Sequence, residues 1–269
     1  MLIPPRAVRA EPFPHAVVDN AIPVAEAESL GAFIGETIGE KTPAVMGGRR
    51  RAVAGSRLYR SLRRNHPALN GVLEELTSRS FVEHLLDALW PALDPLTLCR
   101  FHPSEPWRLQ ARRAPPHPDR LSVWWLAASL RPSPQSLSMY VDLSSAGDGY
   151  MREVHADLPN RLAAGILYLT DHRSNGGVGG ELTLHARPAS APADPRRQPR
   201  RPVDAPQVAK IPPKPGRLVV FLSTNDAYHA VRRMERTMSP RCFLYFGVTA
   251  RCKDVWLRHP DVERNGGAA

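Results

Sequence analysis

Between Leu137 and Val248 the chain passes through six short runs rich in β-branched, aromatic and leucine residues, and this succession limits the available folds more than any other feature. The runs are Leu137 to Leu143, Tyr150 to His155, Ala163 to Thr170, Glu181 to His185, Leu218 to Leu222 and Cys242 to Val248. Turn-forming stretches separate them: Ser144 to Gly149, the glycine-rich Asn175 to Gly180, and Lys214-Pro215-Gly216. Strands this short and this closely spaced must pair on both edges and bury one face, which predicts an antiparallel sandwich or barrel. One separator differs. Residues 186–215 are dominated by proline and arginine with few large apolar side chains, so the expectation is a disordered or loosely attached loop.

The N-terminal third reads differently. Pro12 to Asp19 is expected to hold a short strand entering a turn, and Leu30, Phe33 and Ile34 recur at helical spacing within Pro23 to Thr37. From Pro67 to Trp90 the apolar positions Leu69, Val72, Leu73, Leu76, Phe81, Leu85, Leu86 and Leu89 fall near period 3.6, which predicts one or two amphipathic helices bracing a sheet. Met46 to Arg64, rich in glycine and arginine, reads as a mobile loop beside a site, and residues 103–120, with five prolines, read as an irregular loop. At 269 residues the expectation is one domain spanning 1–269, with 1–95 as a mostly helical support and 135–250 as a β core.

Composition narrows the function classes. No apolar run reaches the roughly 18 residues of a membrane span, and the N-terminus lacks a basic start followed by an apolar stretch, so a cytoplasmic protein without a membrane partner is expected. Three cysteines without metal-binding spacing, Cys99, Cys242 and Cys252, support neither a disulfide framework nor a zinc knuckle. A net charge of +10 raises nucleic acid as a partner. The arginines are scattered, however, over Arg49 to Arg51, Arg60 to Arg64, Arg108 to Arg113 and Arg196 to Arg201, and aromatic residues do not interleave with them as a base-stacking platform requires. A solvated or anion-tolerant surface is the expectation.

Against that background a His-x-Asp pattern stands out. Ten histidines and 26 acids would give about one such pair by chance, and there are three. His117-Pro118-Asp119 sits in the proline-rich loop, and His259-Pro260-Asp261 has no later histidine to complete a site. His155-Ala156-Asp157 ends a predicted strand, where side chains i and i+2 share a face and converge on one point. A third ligand is available downstream from His172, His185, His229 or His259. His229 is favoured because it lies between two apolar strands, whereas His172 and His185 flank the glycine-rich turn and the insert and are expected at the surface. Two histidines and one carboxylate on one face of an octahedral metal leave three positions open, the arrangement that suits non-haem Fe²⁺. A structural zinc site would close with a fourth protein ligand. Twelve residues after His229, at a strand start, Arg241 can hold a carboxylate bidentately.

These residues resemble the 2-oxoglutarate/Fe²⁺ oxygenase superfamily, within it the prolyl-hydroxylase-like branch. The matching segments are Gly149 to Asp157, Ile166 to Thr170, Gly179-Gly180-Glu181-Leu182, Pro215 to Phe221, and His229-Ala230-Val231 leading to Arg241; Pro12-Phe13-Pro14-His15 is a weaker match. The resemblance implies a mainly β fold with supporting α-helices, built on a double-stranded β-helix (jelly-roll) core. It implies Fe²⁺ held by His155, Asp157 and His229, with 2-oxoglutarate as co-substrate, its far carboxylate on Arg241. It also implies O₂ as oxidant and ascorbate as an accessory reductant. Tyr140 and Tyr168 stand where relatives often place tyrosines that hydrogen-bond the co-substrate. The interval from His229 to Arg241 is longer than usual for the branch, with Arg232, Arg233 and Arg236 as rival basic residues in the connection. Asp157 argues against halogenation, since halogenating relatives lack that carboxylate. The activity implied is hydroxylation of an unactivated C–H bond of a small molecule, amino acid or peptide side chain, with release of succinate and CO₂. The alternatives are an oxygenase that demethylates nucleic acid, whose arginine-rich C-terminal strand motif is not evident, and a non-catalytic jelly-roll binding or sensor module.

Overall fold

The structure, a computed structural model, describes residues 1–42, 48–111, 133–188 and 204–257. In chain order the elements are β1 (Val8–Arg9), β2 (His15–Val18), α1 (Val24–Lys41), β3 (Arg49–Ala52), α2 (Arg57–Asn65), α3 (Pro67–Leu76), α4 (Arg79–Leu89), β4 (Leu98–Cys99), β5 (Arg108–Ala111), β6 (Ser133–Ala146) and β7 (Arg152–His155). They continue with β8 (Arg161–Tyr168), β9 (Leu182–His185), β10 (Gln207–Ile211), β11 (Leu218–Leu222), β12 (Tyr228–Val231), β13 (Arg241–Arg251) and β14 (Trp256–Leu257). The six predicted β runs all contain strands.

Two sheets form the jelly-roll. The larger runs β1-β2-β11-β8-β13-β6-β3, with β5 added parallel to β6, and the smaller runs β10-β9-β12-β7. The N-terminal third holds α1 to α4 and also supplies β1, β2 and β3 to the larger sheet, β2 falling where a short strand was expected within Pro12 to Asp19. Strand β13 lies inside that sheet, pairing with β6 on one edge and β8 on the other.

Alternation along the central strands splits the core in two. One set, including Leu143, Leu167, Val220, Leu244 and Phe246, packs under the helices with Leu30, Ile34, Leu73, Phe81 and Leu85. The other, including Ile166, Tyr168, Val219, Phe221 and Phe243, fills the space between the sheets with Leu182 and Leu184. Helices α2 and α4 start on serine caps, Ser56 accepting from the Tyr59 N–H and Ser78 from the Phe81 N–H, which satisfies first-turn donors.

Three segments depart from the sequence reading. Met46 to Arg64 is not a loop where it is described: it holds β3 and α2. Arg49 and Arg51 turn inward on β3, Arg49 donating to the Ser144 hydroxyl at 2.7 Å and Arg51 lying 3.6 Å from the Asp142 carboxylate, so this arginine cluster is not a purely solvated surface. Within 103–120, Arg108–Ala111 forms β5, while 112–120 lies outside the described residues. In the 186–215 insert, Gln207–Ile211 forms an edge strand on β9, stable despite few apolar side chains because its pairing comes from the backbone; 189–203 lies outside the described residues.

The three cysteines are free. Among the described residues no helix is long and apolar enough to cross a membrane.

A polar clamp closes the turn after β2. Arg217 Nε donates to Asp19 at 2.6 Å and Lys214 Nζ at 3.1 Å, and these two cations bring the Asp19 carboxyl down to about 2. A depressed carboxyl stabilises the fold above its ordinary pKa near 4, and that contribution disappears as pH falls towards 2. Because Asp19 is 40 % exposed, screening keeps the effect under about 1 kcal/mol. Asp19→Asn is therefore expected to lower urea stability slightly at pH 7, with the gap from wild type narrowing at low pH.

Candidate metal centre and its arginine pocket

His155 ends β7 and His229 lies on β12, and the strand register sets them directly opposite each other, with ring centroids 4.4 Å apart. Asp157 is not on the strand; it lies just beyond it. Its carboxylate accepts from the Ser223 hydroxyl at 3.2 Å, immediately after β11. The ligand atoms of His155, Asp157 and His229 all lie within 4.8 Å of one another. Among the described residues this is the one group of three or more histidine, cysteine or acidic side chains that approach so closely.

Backbone contacts orient both rings. His155 Nδ1 is 2.8 Å from the Glu153 carbonyl and His229 Nδ1 is 3.0 Å from the Ala227 carbonyl. An N–H at each Nδ1 donates to its carbonyl and leaves Nε2 as the basic nitrogen, the arrangement typical of metal-binding histidines. An Arg152 N–H lies 3.2 Å from His155 Nε2, a contact that a metal on that nitrogen displaces.

The electrostatics favour ligand protonation states. Burial, then the charges of His229 and Arg152, bring His155 down to about 3. Burial also lowers His229. Burial alone would raise Asp157, but the Arg161 guanidinium, with His229 and His155, brings it below the usual carboxylate range. The result is two neutral imidazoles and one carboxylate, the forms that coordinate a cation.

Arg161 was not anticipated. It lies at the start of β8, 7 % exposed, donating to the Tyr245 hydroxyl at 2.8 Å with its guanidinium 5.2 Å from the Tyr140 ring centroid. Room for it comes from Gly247, where a Cβ would stand 2.3 Å from Arg161 Nη1. Tyr140 is buried in this same group and shares a hydroxyl hydrogen bond with Tyr245.

Arg241 opens β13 and is wholly buried, with Tyr150, Tyr168 and Phe243 around its guanidinium at 5.2, 5.7 and 4.8 Å. One N–H donates to the Gly180 carbonyl. Its Nε and Nη2, and the hydroxyl of fully buried Tyr168, have no partner among the described residues. Buried donors without acceptors are costly, and a carboxylate is the acceptor that answers a guanidinium and a phenol together. Arg232, Arg233 and Arg236, by contrast, are exposed.

The sequence placed His172 and His185 at the surface, and both are buried. The ring of His172 folds over Gly180, whose φ of +76° and missing side chain make the space: a Cβ there would stand 2.6 Å from His172 Cε1. His185 is held by Thr183 and the Ala205 carbonyl, each at 2.9 Å. His117, Asp119, His259 and Asp261 lie outside the described residues.

Comparison with known proteins bears on this geometry. Residues 137–246 match the sequence model of the 2OG-Fe(II) oxygenase superfamily. No curated protein sequence matches the chain. Among solved structures, the fold is similar to a prolyl-4-hydroxylase from Pseudomonas putida, at TM-score 0.50 and 13% identity over 88% of this chain and 92% of that one. A viral collagen prolyl hydroxylase from Paramecium Bursaria Chlorella virus-1, in its 2OG complex, aligns at TM-score 0.44 and 12% identity, over 88% of this chain and 96% of that one.

Proposed function

We propose, from the match of residues 137–246 to the 2OG-Fe(II) oxygenase superfamily, that the chain is a dioxygenase of that kind and that it hydroxylates an unactivated C–H bond of a small molecule, amino acid or peptide side chain. The relevant cofactors are Fe²⁺, 2-oxoglutarate and O₂. The observation that carries the reading is the pairing of a His155, Asp157, His229 cluster with a buried arginine, Arg241, whose guanidinium has unpaired donors and lies 5.7 Å from the Tyr168 ring centroid. The organisation that goes with it is a single catalytic unit over 1–269, in which the N-terminal support braces the β core.

In this reading His155, Asp157 and His229 hold the metal, and Arg241 with Tyr168 takes the far carboxylate of 2-oxoglutarate. Tyr140 lies beside Arg161 rather than Arg241, its ring centroid 5.2 Å from the Arg161 guanidinium. Bound there, the metal and co-substrate supply O₂ activation and release of succinate and CO₂. The protein's part is to fix ligand tautomers through the Glu153 and Ala227 carbonyls, to keep Asp157 ionised, and to exclude water with the aromatic packing of Tyr150, Phe243 and Phe221.

Arg161 acts through Asp157, and Gly247 gives it room. Gly247→Ala is expected to displace the guanidinium without disturbing the backbone pairing of β13. Mn²⁺ affinity by calorimetry should fall about tenfold while the melting temperature holds within a few degrees. Unchanged affinity would show that Arg161 is not coupled to the metal ligands.

The test of the function is O₂-dependent succinate formation from 2-oxoglutarate by iron-loaded protein, followed by a screen of amino acids and peptides for a mass gain of one oxygen. Succinate that rises with one substrate class, together with that mass gain, establishes hydroxylation. A well-folded, iron-loaded protein that forms no succinate under any condition is a binding module instead.

A further inference from the structure

Arg241 has a second unpaired neighbour besides Tyr168. His172, in the connection between β8 and β9, is wholly buried, and neither of its ring nitrogens has a hydrogen-bond partner among the described residues. The Val178 carbonyl stands near enough to favour a proton on the ring without forming a regular hydrogen bond to it. A histidine buried for packing alone normally satisfies its nitrogens, as His185 does at both, through Thr183 and the Ala205 carbonyl.

Two glycines make room for the His172 ring. A Cβ on Gly177 would stand 2.7 Å from its Cδ2, and one on Gly180 would stand 2.6 Å from Cε1 and 3.1 Å from Nε2. Gly180 has a further tie, because its carbonyl accepts from Arg241. The ring and the guanidinium therefore flank the same residue, and both keep buried nitrogens without acceptors, as Tyr168 keeps a buried hydroxyl. A second cation beside a buried guanidinium is unfavourable without an anion between them: burial, then the charge of Arg241, holds His172 below its ordinary value. A carboxylate set on Arg241 reverses that balance, since it offsets the guanidinium charge and attracts a proton to the ring.

The acidic groups around His172 are ionised well before it titrates. Asp148 is held below the usual carboxylate range by hydrogen bonds from Thr237. Asp171, which burial alone would raise, is brought down by hydrogen bonds from Arg173. Glu181 pairs with Lys210 at 3.0 Å and Glu235 with Arg233 at 3.9 Å. Arg173 and Arg241 are the neighbouring cations. Near neutral pH the group of this cluster that can change charge is the imidazole.

We propose that His172 is a proton-linked positioning residue of the co-substrate pocket: as 2-oxoglutarate sets its far carboxylate on Arg241 and Tyr168, His172 takes up a proton, and the added charge tightens the hold. The identity of the ligand rests on the oxygenase reading; the linkage itself needs no turnover. Because the complex binds this proton more tightly than the ligand-free protein does, affinity for 2-oxoglutarate rises as pH falls through the neutral range.

The test is calorimetry of 2-oxoglutarate binding to the full-length, Mn²⁺-loaded chain between about pH 6 and about pH 8, in two buffers of different ionisation enthalpy, which together count the protons taken up. Wild type is expected to bind about fivefold or more tightly at the acid end, with uptake of a fraction of a proton near neutrality. His172→Gln keeps an N–H that does not titrate, and His172→Phe keeps a ring without nitrogens. Each is expected to flatten the pH dependence and abolish the uptake, with a ligand-free melt close to wild type. A purely structural His172 would instead give variants that bind more weakly by the same factor at every pH. That result, an uptake that persists in either folded variant, or a wild-type affinity that does not change with pH would overturn the proposal and leave the oxygenase reading standing. Mn²⁺-loaded wild type that binds no 2-oxoglutarate would overturn both.

Discussion

His229→Ala is expected to lower succinate formation by about a thousandfold, roughly 4 kcal/mol in transition-state terms, while the protein stays folded. The ring makes one backbone contact, to Ala227, and packs 4.8 Å from the Phe221 ring and 4.4 Å from His155. Its removal leaves a small cavity between the sheets, a cost of about 1–3 kcal/mol that the two hydrophobic clusters can absorb. Two ligands remain, and an ion held by His155 and Asp157 alone lacks the fixed face that leaves three adjacent positions open. Calorimetry with Mn²⁺ and a thermal melt on the same sample separate the two effects. Loss of metal binding with a near-native melt is the expected result; a folded variant with unchanged metal affinity would remove His229 from the ligand set.

Arg241→Met should raise the concentration of 2-oxoglutarate needed for half-saturation by about a hundredfold, close to 3 kcal/mol, because a charge-assisted and bidentate contact is lost. The same substitution is expected not to destabilise the ligand-free protein. A fully buried guanidinium with two unpaired nitrogens is a burden on the fold, and methionine fills similar volume among Tyr150, Tyr168 and Phe243 without them. Thermal melts should therefore show Arg241→Met at or above wild type without 2-oxoglutarate, and well below it with saturating Mn²⁺ and 2-oxoglutarate. A large loss of stability in the ligand-free state would mean that Arg241 is there to support the sheet.

Much of this was legible in the chain because the signals were local. Six β runs predicted an antiparallel sandwich or barrel, which the family resemblance narrowed to a jelly-roll, and His155-Ala156-Asp157 was preferred to two other His-x-Asp pairs because a strand was expected to end there; His155 does end β7, with Asp157 just beyond it. His229 followed from its place between apolar strands, and Arg241 from its place at the start of the next one. What stayed hidden depends on contacts between distant segments. Arg161 is conspicuous only once Gly247 is seen to clear space for it and Asp157 to lie beside it. Arg49 looked like loop composition, yet Ser144 and the rings of Phe243 and Tyr245 make a buried place for it on β3. His172 looked exposed beside its glycines, and it is those glycines that let the ring fold inward. Strand β10 escaped notice because an edge strand is held by its partner's backbone more than by its own side chains.

The most direct test of the central claim is an anaerobic titration of Fe²⁺-loaded protein with 2-oxoglutarate, watched for the weak visible charge-transfer absorption of the chelated co-substrate. A saturable band is expected in wild type, none in His155→Ala, and in Arg241→Met a band that appears only at far higher 2-oxoglutarate. A folded wild-type protein that binds Fe²⁺ and shows no band at any 2-oxoglutarate concentration would contradict that claim.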